Sequence, residues 1–296
     1  MAQTIQQRLA EQPPTGSQPI QYMATVDAYD KWAEVYDTDG NFLQRLDTIE
    51  MRALLPRFLD HVSARFGSTD QLTLVDLGCG TGRNTIQMLE ALSQKTSLTA
   101  TPAIEVVGLD ASPGMLEVAR TAIQASVSHR NKTEETHSPA SSLAVFDLLQ
   151  PDSGSAQLPP SLRGDHSGAA GVISTLVLEH IPLKEFFAAA SAMMRPGAYL
   201  LVTNMHADMG ARSQAGFTDP ETGVKIRPTS YCHSIPEVRA AADEAGFLVA
   251  DLVGETGENG VLVRDVDERL GNVLGDRAKK WVGVQVWFGV SFRKRE

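Results

Sequence analysis

The sequence predicts an α/β protein: a doubly wound, seven-stranded, mostly parallel sheet with an N-terminal helical cover. Three observations carry this expectation. Short apolar runs alternate with amphipathic helical stretches from residue 72 onward, the pattern of a parallel sheet covered on both faces. The first run ends in a glycine-rich turn, Asp76-Leu-Gly78-Cys79-Gly80-Thr81-Gly82. The next two runs close on aspartates, Asp110 and Asp147.

Taken in order, residues 1–22 are rich in Gln, Pro and Ser and read as a disordered, mobile tail. One domain then spans 23–296, beginning with a cover over about 23–65. From Phe42 to Val62, Leu46, Ile49, Leu54, Leu55, Phe58 and Leu59 recur at helical spacing. LTLVDLG (72–78) reads as a buried strand, followed by a helix from Asn84. IEVVGLD (104–110) is the second strand. Ser112-Pro113 supplies an N-cap and an N1 proline to the helix carrying Met115, Leu116 and Ala119. LAVFDLL (143–149), GVISTLVL (171–178) and YLLVTNM (199–205) are the third to fifth strands, with a helix over 183–194 before the last. Ser234-Ile-Pro-Glu237 is a capping-box start. Residues 247–253 and 281–292 complete the sheet. Two stretches break the alternation. Pro151–Gly168 reads as a surface excursion. His206–His233, after a central strand, reads as an irregular substrate loop, because open α/β sheets keep their ligand crevice at that end.

The chain carries 26 Lys+Arg against 36 Asp+Glu, a formal net charge of −10. That balance argues against a nucleic-acid target. The cations Arg277, Lys279, Lys280 and Arg293–Arg295 read as solvated surface. No apolar run reaches the roughly 18–20 residues of a membrane span, and no secretory signal stands at the N-terminus. Two cysteines, Cys79 and Cys232, exclude a disulfide scaffold and point to a cytoplasmic protein. The seven histidines form no H-x-x-x-H or H-x-H pair, so no metal is expected. No obligate protein partner is evident, and the expected partner is a small molecule.

The glycine turn differs from the G-x-G-x-x-G dinucleotide fingerprint, since its third glycine is Gly82 and Arg83 follows. An acid, Asp76, also precedes it, which repels a pyrophosphate and welcomes an ammonium group. Asp110 sits where a carboxylate accepts the hydroxyls of a ribose, and Asp147 where one accepts an exocyclic amine. Together the three describe a pocket for a zwitterionic nucleoside without phosphate.

These residues closely resemble the class I S-adenosylmethionine-dependent methyltransferases. The resemblance runs from about residue 27 to 292 and implies a Rossmann-like fold with S-adenosyl-L-methionine as cofactor and S-adenosyl-L-homocysteine as product. It carries Asp76, Gly78, Gly80 and Gly82 onto the methionine region, Asp110 onto the ribose, and Phe146, Asp147 and Leu148 onto the adenine. Cys79, Thr81 and Asn84 on the loop, Ala111 and Met115 after Asp110, and Leu176 after the fourth strand fall beside the cofactor, with Cys79 reading as a small buried packing residue. Ala28-Tyr29-Asp-Lys-Trp32-Ala-Glu-Val-Tyr36-Asp37 resembles the aromatic entry of small-molecule members, so Tyr29, Trp32 and Tyr36 are expected to cover the cofactor.

A narrower resemblance runs through AYDKWAEVYDTDGNFLQRLDTIEMRALLPRFL, ISTLVLEHIPL, TNMHADMGARSQAGFTDPETGVKIRPTSY and RAKKWVGVQVWFG. These segments look like the fungal thiol methyltransferases of the gliotoxin type. That implies S-methylation of the thiols of a reduced epidithiodiketopiperazine, in secondary metabolism or detoxification. A thiol acceptor needs only partial ionisation, since the thiolate is the reactive species. His180, just past the fourth strand, is the first candidate base, and His206, Tyr231 and His233 around the loop are weaker ones. Trp281, Trp287 and Phe288 line the pocket or pack the last strand. Two other readings stay open: an O- or C-methyltransferase of another metabolite, and a non-catalytic cofactor-binding regulator.

Overall fold

A computed structural model of the chain describes residues 4–10, 20–69, 71–95, 103–133, 139–150, 159–162, 168–251 and 259–296. Its strands are β1 (Ile20–Met23), β2 (Gln71–Leu77), β3 (Ala103–Asp110), β4 (Ala140–Val145), β5 (Ala169–Thr175), β6 (Met194–Met205), β7 (Phe217–Thr218), β8 (Lys225–Pro228), β9 (Phe247–Ala250), β10 (Val261–Asp265) and β11 (Gln285–Lys294). The main sheet runs β4-β3-β2-β5-β6-β11, parallel up to β6 and antiparallel at β11. Beyond β11 the edge is shared end to end by β10 and β9, both antiparallel to it. The seven expected positions are therefore filled by eight strands. The extra strand, β10, was not expected from its sequence.

Both faces of the sheet are buried, as its continuous apolar strands require. Leu72 and Leu74 of β2 join one core with Phe58, Leu59 and Met88. Val75 and Leu77, on the opposite face, join a second with Phe186, Phe187, Phe247 and Phe292. After the helices α1 (Ile5–Ala10) and α2 (Thr25–Trp32), the long helix α3 (Phe42–Phe66) crosses the first face. It comes so close that a Cβ on Gly171 of β5 would lie 2.8 Å from the Phe58 ring and 2.9 Å from Val62.

One buried carboxylate fixes this docking. Asp47 of α3 is fully buried. It accepts hydrogen bonds from Arg83 Nη2 (2.8 Å), Asn84 Nδ2 (3.2 Å), Thr203 Oγ1 (2.5 Å) and Trp287 Nε1 (3.0 Å). Its donors come from the start of the helix after the glycine loop, from β6 and from β11, so one side chain ties α3 to three other elements.

Several sequence expectations shift. The third strand, expected at 143–149, ends at Val145, because Asp147 turns the chain by accepting from Leu149 N (2.9 Å). The loop 206–233 is not irregular: it holds a short helix, Ala207–Gly210, and strands β7 and β8. Nor is 1–22 simply a tail. Ile5–Ala10 is helical, Ile5 is buried and its N–H donates to Ser230 O (2.8 Å), and β1 pairs with β8. These pieces are too short for their periodicity to register. Residues 1–3 and 11–19 lie outside the described residues, as do 151–158 and 163–167 of the expected excursion. Among the described residues, no helix is long and apolar enough to cross a membrane.

The N-terminal cover and the loop meet in one cap. β1, β8 and β7 form a three-stranded sheet, and Trp32 stacks on Phe217 with ring centroids 5.0 Å apart. Asp30 closes the cap onto the body by accepting from Ser112 Oγ (2.5 Å) and Gly114 N (2.9 Å). Ser112 Oγ in turn accepts from Met115 N (3.0 Å) as the expected N-cap.

Asp47→Ala leaves Arg83 and three neutral donors without their acceptor. The expected loss of folding free energy is about 3–5 kcal/mol, measured by urea unfolding. A loss below ~1 kcal/mol would show that Asp47 does not hold α3 in place.

Candidate functional site

The order of the sheet reverses between β3 and β5, on either side of β2, and that is where an α/β sheet opens a crevice. Gly78 and Gly80 follow β2 with φ of +76° and +54°. A Cβ on Gly78 would sit 2.3 Å from Val177 Cγ2, whereas one on Gly80 would meet nothing within 4 Å. The first glycine lets two loops touch, and the second keeps space open. Gly78 N and Cys79 N both donate to Leu109 O (2.7 and 2.9 Å). Asp110 accepts from Gly80 N and from Ser112 N, at 2.8 Å each, so its carboxylate stitches the loop to the next turn. Thr81 Oγ1 donates to Asp37 (2.9 Å), tying the loop to the cover.

A cavity of about 100 Å³ occupies the crevice. Gly78, Gly80, Asp110 and Ala111 form one wall, Phe146 and Leu148 another, Leu176 and His180 a third, and Tyr29 and Tyr36 from the cover close it. Leu176 has φ of +58°, a region a branched aliphatic side chain rarely adopts, and such strain concentrates at working sites. The remaining predicted cofactor residues stand behind these walls. Trp32 and Met115 pack together in the small core under the cap. Cys79 is buried beneath the loop, and burial pushes its thiol well above the usual range. Gly82 packs near Ala119 and Ile123. Asn84 bridges Asp47 and Thr175 Oγ1 (2.7 Å). Asp147 holds its own turn and does not line the cavity.

Asp76 lies under the glycine loop and is wholly buried. Its Oδ2 accepts from Thr85 Oγ1 (2.6 Å), while its Oδ1 has no partner. Burial raises its pKa to about 6, against the opposing hydrogen bond from Thr85.

Of the four candidate bases, only His180 reaches the cavity. Its Nδ1 lies 2.9 Å from Thr229 O and its Nε2 2.7 Å from the Tyr29 hydroxyl. A carbonyl only accepts, so Nδ1 carries the proton of the neutral ring and Nε2 accepts from Tyr29. Tyr29 is desolvated in this closed site, which holds its hydroxyl well above the usual range. The other three are not brought to the cavity. His206 caps the short helix Ala207–Gly210 through its Nδ1, which accepts from Asp208 N (3.2 Å). Tyr231 and His233 stack on each other and brace the 178–181 turn: Tyr231 N donates to Glu179 O (2.7 Å), and His233 Nε2 donates to Ile181 O (3.0 Å).

Sequence reasoning passed over Glu179, although it stands beside His180. It is buried, its Oε1 lies 3.5 Å from His180 Nε2, and its Oε2 has no partner. A charged residue inside an otherwise apolar strand end, LVLEH, was the available signal. Among the described residues, no three His, Cys, Asp or Glu side chains group so as to hold a metal ion.

Residues 75–200 match the family described as a methyltransferase domain. An uncharacterised methyltransferase of Emericella nidulans is 51% identical over 284 residues, covering 92% of this chain and 91% of its own. Among solved structures, an S-adenosylmethionine-dependent methyltransferase from Clostridium acetobutylicum aligns over 90% of this chain and 99% of its own. That pair has 14% identity and a TM-score of 0.49. One from Mesorhizobium loti aligns over 80% of this chain and 98% of its own, with 16% identity and a TM-score of 0.47.

Asp76 gives the free protein a pH signature. Its native pKa of about 6 exceeds the ~3.9 of an unfolded aspartate, so the native state binds the extra proton between those values. Stability therefore falls as pH rises from about 4 to 6, by up to ~3 kcal/mol from this group. Asp76→Asn removes the drop. Urea unfolding of both proteins from pH 4 to 8 should show Asp76→Asn equal to wild type at the acid end and more stable at pH 7. A difference that stays constant across this range contradicts the assignment.

Proposed function

Since the chain belongs to the class I S-adenosylmethionine-dependent methyltransferases, we propose that it moves the methyl group to a thiol of a small dithiol metabolite, such as a reduced epidithiodiketopiperazine. The observation that carries the reading is the cavity at the reversal of the sheet, where the glycine loop, Asp110, Phe146 and the Tyr29–His180 pair converge. The residues fit the cofactor. Open space stands where Gly80 lacks a Cβ. Each Asp110 oxygen accepts one backbone N–H and keeps a lone pair for a ribose hydroxyl. Phe146 and Leu148 offer an apolar slot to an adenine. Asp76, with one unpartnered oxygen beneath the loop, offers negative charge toward an ammonium group.

When bound, the cofactor supplies an electrophilic sulfonium methyl whose C–S electrons leave with the sulfur. The protein's task is then alignment of the acceptor and removal of its proton. The S–H proton of the acceptor passes to the Tyr29 hydroxyl as Tyr29 gives its own proton to His180 Nε2, which already accepts from it. Nδ1, held by Thr229 O, presents that nitrogen in its basic form, and the Glu179 carboxylate 3.5 Å away stabilises the imidazolium. A thiol near pKa 8.5 suits so modest a base better than a phenol near 10 does. Tyr29 and Tyr36 close the cavity against water.

The sequence features of the gliotoxin-type thiol methyltransferases support the thiol over a hydroxyl acceptor. The 51% identical relative in Emericella nidulans supports a fungal setting. A cytoplasmic enzyme of secondary metabolism or detoxification follows from the same reading.

Calorimetry should show S-adenosylmethionine binding, with the dissociation constant raised tenfold or more by Asp110→Ala, the scale of a charge-assisted bond worth ~1.5–3 kcal/mol. An unchanged constant contradicts the ribose assignment. With labelled cofactor, reduced dithiols should accept methyl and phenols should not. Transfer to phenols alone rules out the thiol reading. His180→Ala should slow transfer to thiols by about 10²–10⁴-fold with S-adenosylmethionine affinity kept, and an unaltered rate makes His180 structural.

A further inference from the structure

A second cavity, of about 90 Å³, lies between the cap and the C-terminal segment. Its lining includes Trp32, Glu179, Met205, Met209, Gln214 and Trp281. Three of these side chains carry a buried polar atom without a partner: Glu179 Oε2, Gln214 Oε1 and Trp281 Nε1. Each residue is more than nine-tenths buried, at 5%, 7% and 6% exposure. Only seven such atoms occur among the described residues, and three of them belong to this one lining. Folded proteins pair nearly all buried polar groups, so each exception needs a reason, and three around one cavity share one.

The local structure holds these groups ready. Gln214 Nε2 donates to Pro228 O (2.8 Å), which fixes the amide and leaves its oxygen over. Trp281 is pinned by Phe42, with ring centroids 6.3 Å apart, and by Lys280, whose ammonium sits 5.5 Å from its ring centre. Glu179 belongs to the turn that also carries His180. Its second oxygen, Oε1, lies 3.5 Å from His180 Nε2, and His180 lines the first cavity. The Glu179–His180 turn is therefore the wall between the two cavities.

We propose that this second cavity binds the methyl acceptor, and that its three open polar atoms read it. The inference rests on the thiol reading above for the identity of the reacting group. Glu179 Oε2 and Gln214 Oε1 each call for a hydrogen-bond donor, while the Trp281 N–H calls for an acceptor. The ligand thus brings two donors and one acceptor to a lining that sets Met205, Met209 and Trp32 beside the charged Asp39, Arg277 and Lys280. A dithiol that also carries a carbonyl satisfies all three: one thiol donates to Glu179, a second thiol or an amide N–H donates to Gln214, and the carbonyl accepts from Trp281. The thiol at Glu179 is the one that reacts, since it stands at the wall shared with the cofactor cavity, beside the Tyr29–His180 pair. A plain alkyl thiol leaves Gln214 and Trp281 unanswered and is a poor acceptor.

The probe is a cyclic dipeptide bearing two thiols, kept reduced and titrated calorimetrically into cofactor-free protein and into protein saturated with S-adenosylhomocysteine. Trp281→Phe and Gln214→Met should each weaken its binding about tenfold, with S-adenosylhomocysteine affinity unchanged. Propane-1,3-dithiol, which lacks a carbonyl, should bind wild type and Trp281→Phe alike. Gln214→Met also gives up the amide bond to Pro228 O and Trp281→Phe part of its packing on Phe42, so both variants should melt somewhat lower than wild type, and their unchanged S-adenosylhomocysteine affinity shows that the fold is kept. Wild-type affinity for the probe in both variants overturns the inference, as does an equal loss of S-adenosylhomocysteine affinity, which makes the two side chains structural. Absence of probe binding to wild type in both states overturns it as well. Failure of S-adenosylhomocysteine to bind strikes instead at the function proposed above, and the cofactor-free titration still decides the cavity.

Discussion

A single buried carboxylate, Asp47, sets the geometry on which the rest of the molecule depends. A lone ion in an apolar core is prohibitively costly, and this one persists because four donors surround it. Each donor belongs to a part of the fold that the site needs. Arg83 and Asn84 begin the helix that leaves the glycine loop, while Thr203 and Trp287 lie on adjacent strands of the sheet. Asn84 continues the chain of contacts to Thr175, the residue before the strained Leu176. The interaction thus clamps both sides of the point where the sheet order reverses, and it places the glycine loop opposite the 176–181 turn.

The cap depends on a second set of carboxylates used as staples. Asp30 holds the start of the helix at Pro113, and Asp37 holds the glycine loop through Thr81. Asp39 accepts from the Trp32 indole (3.0 Å) and fixes the cover beside the second cavity. A sheet shared between residues 20–23 and 217–228 makes the cover and the loop one body. That body closes one side of the cavity at the reversal of the sheet through Tyr29 and Tyr36. A closed, dry site strengthens every electrostatic contact inside it.

The acids at the site differ in what they are given. Asp110 receives two backbone N–H groups and ends up tying loops together. Asp76 receives one hydroxyl, is left with an unpartnered oxygen, and shifts upward to about 6. Glu179 keeps one oxygen near His180 and the other free. An acid that folding leaves under-satisfied is a place where a ligand contributes what the protein withheld. Asp76 and Glu179 are two such acids, one beneath the glycine loop and one at the wall between the cavities.

Local patterns in the sequence determined the alternating body of the fold. Apolar runs specify strands buried on both faces. Ser112-Pro113 and the Ser234–Glu237 capping box start helices by satisfying their first N–H groups. The glycine turn with Asp110 marks the crevice because the needed backbone freedom and charge sit in a few adjacent residues. Wherever the determinant was a contact between distant segments, sequence reading ran out. The pairing of β1 with β8 joins residues some 200 positions apart, and neither strand has a pattern long enough to announce itself. Asp147, read as a ligand contact, also closes its own turn. His206, Tyr231 and His233 were read as candidate bases, yet their rings and backbone brace other segments. Glu179, Gln214 and Trp281 gather around one cavity only because α3, the cap and the C-terminal segment fold against each other. Whether a polar atom is left without a partner is a property of everything packed around it, and only the tertiary structure decides that.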